Sequence, residues 1–251
     1  MKRSMTILLV ATMMIALVVL VYFKKSQTNP LTGARQYVDL SPDEEVILGI
    51  QSAPQLASQF GGLFENKLLR DSVKNVGDRL VKMSSFDLHP YKFDFHLLAD
   101  QKNRRALSLP GGQVFITAGL LNQIRSADQL AGVLSHEMGH VVGRHAAERL
   151  AAKGLFHGLV GAGRSESGKD PDAKMKTYVS DLISMDFNES DETDCDGFAL
   201  RFMADAGYNP EALLGNLEIL NSKSVSFNKN HPKGESRLIK LDQAIRKYLN
   251  R

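Results

Sequence analysis

At Ser135-His136-Glu137-Met138-Gly139-His140 the chain places two histidines four residues apart, with a glutamate directly after the first. Four residues is just over one helical turn, so on a helix both imidazoles leave the same face and can reach one metal ion. Glu137 then stands beside that ion, where a carboxylate can take a proton from an attacking water. The flanking residues supply the helix. Leu130, Val133, Leu134, Val141 and Val142 recur at helical spacing, Ser126 offers an N-cap, and Gln129 occupies the capping-box position. This predicts one helix from Ser126 to about Ala152. Whatever else the chain forms must be arranged around it.

Composition enters when the third ligand is sought. One cysteine in 251 residues excludes an internal disulfide and a thiolate-rich zinc site, leaving carboxylates as the abundant choice. The richest source is Ser190 to Gly197, reading Ser-Asp-Glu-Thr-Asp-Cys-Asp-Gly. Alone, such a run reads as the solvated first turns of a helix, favoured by its dipole. Beside a metal-bearing helix it reads differently. Glu192 and Asp196 are four apart and share a face, so Glu192 can ligate while Asp196 accepts the outer N–H of a ligand histidine. Cys195, one residue before Asp196, reads as a small residue for close helix packing rather than as a soft metal ligand. His145, nine residues past His136, falls on the far side of a continuous helix and reads as structural.

Met5 to Phe23 is a 19-residue stretch without a charge. As a helix it would cover ~28 Å of a hydrocarbon core of ~30 Å. Val21, Tyr22, Phe23, Lys24 and Lys25 form a bulky, charged exit unlike the small residues of a signal-cleavage site. The expectation is a single uncleaved anchor, residues 1–25, with its N-terminus in the cytoplasm and the following domain in a periplasm or equivalent compartment. The net charge of +3 also belongs here. Lys2, Arg3, Lys24 and Lys25 flank the run without an acidic neighbour, leaving 27 basic against 28 acidic residues in the rest of the chain. No basic stripe remains to track nucleic acid.

Residues 26–40 are polar, include Asn29, Pro30 and Gly33, and read as a linker or arm. The domain proper, residues 41–251, opens with Ser41, Pro42 and Glu44, an N-cap, first-turn proline and capping-box glutamate for a helix to about Phe60. A second helix is expected from Leu63 to about Met83. Tyr91 to Leu98 alternates as a half-buried strand, and Gln113 to Thr117 is a second strand after the turn Pro110-Gly111-Gly112. Gly154 to Pro171 reads as a mobile loop. Helices follow at about Asp172–Met185, Ser190–Ala206, Asn209–Ser222 and Glu235–Leu249.

Five elements in order carry a family resemblance: Asn29 to Gln36 (Asn-Pro-Leu-Thr-Gly-Ala-Arg-Gln), Ala106 to Gly112 with Gly119-Leu120-Leu121, the histidine motif, Glu192 with Asp196, and His231-Pro232 followed by Arg237. On these the chain resembles the membrane-associated gluzincin metallopeptidases, which include the CAAX prenyl proteases, HtpX-type heat-shock proteases and Oma-type proteases, and most closely the Oma-like bacterial periplasmic branch. The resemblance covers most of the chain from Asn29 onward. It implies a mainly helical α+β, zincin-like domain with a small sheet, holding one zinc ion on His136, His140 and Glu192. It implies Glu137 as general base and Asp196 as support for the histidines. The strand Gly112, Gln113, Val114, Phe115, Ile116 and Thr117 is expected to pair with an extended substrate, which reads main chain and predicts broad specificity. His231 is expected to approach the zinc or to donate to the oxyanion, and Arg237 to stabilise it. Arg105, Asp194 and Cys195 depart from residues common in relatives, and none removes a ligand. Gly154 to Pro171 is too short for the membrane hairpins some relatives carry there.

The activity so implied is zinc-dependent endoproteolysis of unfolded or misassembled envelope proteins. A zinc-bearing periplasmic chaperone or assembly factor with little proteolysis, and a metal-free membrane-tethered scaffold, are the competing readings. The intact Glu137 argues against the first and the complete ligand set against the second.

Overall fold

Helix starts show how closely local chemistry sets this structure. In the computed structural model, Ser41 accepts from the Glu44 N–H and Glu44 returns a bond to Ser41, opening helix α1 at Pro42–Gln59. Ser126 accepts from the Gln129 N–H ahead of α4, Ala127–Val142. Asn188 and Asp191 form a capping box for α7, Glu189–Asp205. Each cap satisfies backbone donors that the first helical turn leaves open.

The structure describes residues 26–160, 171–221 and 235–250, with Met5, Leu9, Val10, residues 12–17, Val19 and Leu20. The other elements are strands β1 (Ser26–Thr28), β2 (Arg35–Tyr37), β3 (Asp94–Leu98), β4 (Ala106–Leu109) and β5 (Gln113–Thr117). The other helices are α2 (Lys67–Met83), α3 (Ala118–Leu121), α5 (His145–Val160), α6 (Pro171–Ile183), α8 (Ala212–Asn221) and α9 (Glu235–Leu249). The result is mainly helical α+β, as expected. The expected anchor, residues 1–25, falls largely outside the described residues, and those described within it are helical. No helix among the described residues is long and apolar enough to cross a membrane.

β5 is the middle of a three-stranded sheet ordered β3-β5-β4, parallel to β3 and antiparallel to β4. It is buried on both faces. Val114 and Ile116 enter a core with Leu97, Leu134, Met138 and Phe202, and Phe115 enters a second with Leu56, Leu109 and Val179. The period-2 geometry of a strand makes this division, with α4 against one face and α1 and α6 contributing to the other. The expectation that Gly112 to Thr117 pairs with an extended substrate is thereby corrected. Both of its sides are taken by neighbouring strands, and the edge next to α4 belongs to β4. Four residues, Ala-Leu-Ser-Leu, are too few to show an alternation in sequence.

The polar arm is an antiparallel ribbon rather than a free linker, with Ser26 paired to Tyr37 and Thr28 to Arg35. It is docked where α4 ends. Asn29 Nδ2 donates to the Val142 carbonyl at 2.7 Å and Gln36 Nε2 to the Gly143 carbonyl at 2.5 Å. The C-terminal carbonyls of a helix have no partners of their own, and the arm supplies them.

The expected helix from Ser126 to Ala152 is two. Gly143 ends α4, and Arg144 takes a left-handed φ of 57° before α5 begins at His145. α5 runs to Val160, into the segment expected to be a loop, and residues 161–170 lie outside the description. α2 begins at Lys67 rather than Leu63, because Leu63 makes an antiparallel bridge to Leu98 and Asn66 provides the cap.

Candidate metal centre

α4 carries His136, Glu137 and His140 into the protein, with Glu137 and His140 buried and His136 nearly so. α7 packs across it at very short range. A Cβ on Gly139 would lie 2.9 Å from the Cys195 Cα, so only glycine lets the two helices approach this closely. The approach delivers Glu192 and Asp196 to the histidines, and the wholly buried Cys195 serves as the small packing residue expected of it.

Glu192 is completely buried and spans the two imidazoles. Its Oε2 lies 3.4 Å from His136 Nε2 and its Oε1 lies 3.5 Å from His140 Nε2. Ligands bound to a tetrahedral zinc ion at about 2.0 to 2.1 Å are ~3.3 Å apart, so these three groups have the spacing of a shared ion. On the other side of its ring, His136 Nδ1 lies 3.1 Å from Asp196 Oδ1. A proton on Nδ1 therefore leaves the Nε2 lone pair turned toward Glu192.

His145 corrects its expected place. The break at Gly143 and Arg144 folds its ring back, and a Cβ on Gly143 would meet His145 Nε2 at 2.5 Å. His145 Nδ1 then lies 3.1 Å from His140 Nδ1. Burial holds the His145 pKa below its ordinary value, with Asp191, Asp194 and Glu192 pulling the other way. A neutral His145 can accept the His140 Nδ1–H and turn His140 Nε2 toward Glu192. Phe187 covers the same imidazole, its ring centroid 4.0 Å away.

Arg237 is 3% exposed and serves as the counter-charge of the two acids. It donates from Nε and Nη2 to the two oxygens of Asp196, both at 2.7 Å, and its Nη1 lies 2.5 Å from Glu192 Oε2. Burial raises the Asp196 carboxyl, but Arg237 and His136 outweigh it and hold the pKa below the usual value. Stabilising an oxyanion would require the guanidinium to leave these carboxylates. Burial likewise works against a charged His136, yet Asp196 and Glu192 prevail and lift it to about 9. Carboxylates outnumber the one fixed positive charge here, so the cluster favours a cation.

Glu137 Oε2 accepts from Ser108 Oγ at 3.0 Å. Ser108 lies on β4, the strand the sequence did not reveal, and it orients the carboxylate beside the histidines. His136, Glu137, His140, Glu192, Asp196 and Arg237 are thus brought together. Gly112 to Thr117 are held in the sheet, where Gln113 bonds His96 at 2.9 Å, and His231 lies outside the described residues.

His136, His140 and Cys195 also offer atoms within 4.8 Å of one another. The sulfur, however, lies 3.4 Å from His145 Nδ1, on the side of His140's outer nitrogen. Burial pushes this thiol well above its ordinary pKa, with Glu192, Asp196 and Glu137 adding to the effect. The geometry favours Glu192.

A helix presenting two histidines and a glutamate, completed by a carboxylate from a second helix, defines a zincin-type metallopeptidase site. The sequence profile of Peptidase family M48 matches residues 67–245, and the chain belongs to that family of zinc metalloendopeptidases. Among relatives, it is 25% identical over 231 residues to the mitochondrial metalloendopeptidase OMA1 of Schizosaccharomyces pombe, covering 88% of this chain and 67% of that one. It is 26% identical over 252 residues to the beta-barrel assembly-enhancing protease of Escherichia coli, covering 94% of this chain and 51% of that one. The chain thus spans about half to two thirds of the length of these relatives. The cofactor of the family, and of this domain, is zinc.

Proposed function

We propose that the chain is a membrane-anchored endopeptidase that hydrolyses peptide bonds in unfolded or misassembled envelope proteins. The observation that carries the catalytic part is the convergence of His136 Nε2 and His140 Nε2 on the two oxygens of Glu192, with Glu137 alongside. His136, His140 and Glu192 would hold the zinc ion. When bound, the ion supplies Lewis acidity to the substrate carbonyl and the attacking water.

The chain's own residues do the rest. Ser108 orients Glu137, which takes the proton of the water and passes it to the leaving amine. Asp196 and His145 fix the tautomers of His136 and His140, and Arg237 pairs with Glu192 and keeps Asp196 ionised in a buried place. β4 lies at the sheet edge beside α4 and presents Ser108 to Glu137, so we assign it the pairing with an extended substrate.

Support for the envelope setting is of a different kind. Met5, Leu9, Met13, Ile15 and Leu17 are apolar and more than half exposed, as a lipid-facing helix would be. The basic flanks favour the domain lying on the periplasmic side of the inner membrane. A relative's name, beta-barrel assembly-enhancing protease, suggests misassembled envelope proteins as substrates here too.

The test is cleavage of casein by the purified protein, with and without chelator, beside Glu137→Gln. Chelator-sensitive cleavage lost in the variant is the expected result. Stoichiometric zinc without cleavage would overturn the endopeptidase reading in favour of a chaperone.

A further inference from the structure

We propose that the site selects a tyrosine side chain next to the scissile bond, through a mainly apolar pocket in which Asn216 offers an unmatched buried acceptor. This deepens the peptidase reading and rests on it.

The pocket opens beside His136 and Glu137 and is walled mainly by Leu120, Ile124, Val133, Leu213 and Leu217. Asp196 and Arg237 line it with His136 and Glu137, and Asn216 is the polar residue set among the apolar ones. It stands on α8 between Leu213 and Leu217, on the stripe that packs against α4, and is 8% exposed. Gly132 makes room for it, since a Cβ there would lie 2.5 Å from Asn216 Nδ2. Gly132 is one helical turn before His136, so the amide is next to the chemistry rather than remote from it.

The amide orientation is fixed by its partner. Asn216 Nδ2 donates to the Gln129 carbonyl at 2.9 Å, which only the nitrogen can do. Asn216 Oδ1 is buried and has no hydrogen-bond partner. A buried acceptor left unmatched is costly, and a ligand donor that meets it removes that cost. The occupant must therefore be apolar along its length and carry one donor at its end. Tyrosine has this form. Phenylalanine fills the same walls but leaves Oδ1 unmatched, and leucine does so with less contact.

The test uses peptides identical except for Tyr, Phe or Leu at the residues flanking the bond cut in casein. The expected kcat/KM is about 10-fold higher for Tyr than for Phe, the scale of one matched buried hydrogen bond. Asn216→Leu should bring the Tyr/Phe ratio to about one or below while Phe peptides are still cut, and Asn216→Ser checks the ratio if the leucine variant fails to fold. Equal cleavage of Tyr and Phe peptides by the unaltered protein would overturn the proposal, as would a Tyr preference that survives both substitutions. Binding of the same peptides to Glu137→Gln separates the two claims. Tighter binding of Tyr peptides by about 10-fold supports the pocket even if cleavage is absent, and equal binding overturns it whatever the catalytic result.

Discussion

Arg144 and Arg237 are both buried against carboxylates, one just past the end of α4 and the other at its metal face. Arg144 meets one acid, Glu45, with Nε at 2.7 Å from Glu45 Oε1. Arg237 meets two, Asp196 and Glu192, and a histidine adjoins them. The outcomes for the acids differ. Burial dominates at Glu45 and pushes its pKa up to about 7, against the pull of Arg144. At Asp196 the bidentate arginine and His136 overcome burial and keep the carboxylate charged. The first cluster ties the arm and α1 to the end of α4, since Arg144 also bonds Gln27 and the Leu40 carbonyl. The second maintains negative charge beside His136 and His140. The two buried arginines thus differ in whether burial or charge pairing prevails at the acid they hold.

The largest effect should come from removing the proposed base. Glu137→Gln is expected to lower kcat/KM on casein by ~10²- to 10⁴-fold with zinc content unchanged, read by metal analysis of the same sample. Next, Arg237→Ala strands two buried carboxylates. It should cost about 3 to 5 kcal/mol in urea unfolding and weaken zinc affinity by ~10- to 100-fold. Arg144→Ala should show a comparable loss of stability, but the folded fraction should retain its zinc affinity. Equal loss of zinc affinity in both variants would erase the distinction between the clusters.

The Glu45 cluster should also be visible in pH. A folded-state pKa raised from 4.5 to about 7 means that its stability contribution is complete below 4.5 and lost as pH rises through 7. Glu45→Gln should flatten that decline, seen in Tm measured from pH 4.5 to 8. Asn29→Ala removes one cap from the end of α4 and is expected to cost about 1 kcal/mol.

The helix of His136 and His140, its cap and the carboxylates of α7 were legible because each depends on residues within a turn or two of one another. Ser126 with Gln129, and Glu192 with Asp196, are local patterns that survive without tertiary context. What escaped the sequence depends on contacts between distant segments. Ser108 matters only because β4 lies over Glu137, and the middle position of β5 is a property of the sheet's strand order. His145 was misplaced because helical spacing was carried through Gly143. A glycine inside a helical pattern was the available signal, and with Arg144 it turns the ring by a break that no periodicity describes. Asn216 carried a signal too, as the polar member of the stripe Leu213, Asn216 and Leu217.

The proposed zinc ligands are His136, His140 and Glu192, with Cys195 as a packing residue. X-ray absorption at the zinc edge on the loaded protein tests this set directly. The expected nearest neighbours are nitrogen and oxygen at about 2.0 to 2.2 Å, unchanged in Cys195→Ala; a sulfur scatterer at about 2.3 Å that disappears in that variant would contradict this ligand set.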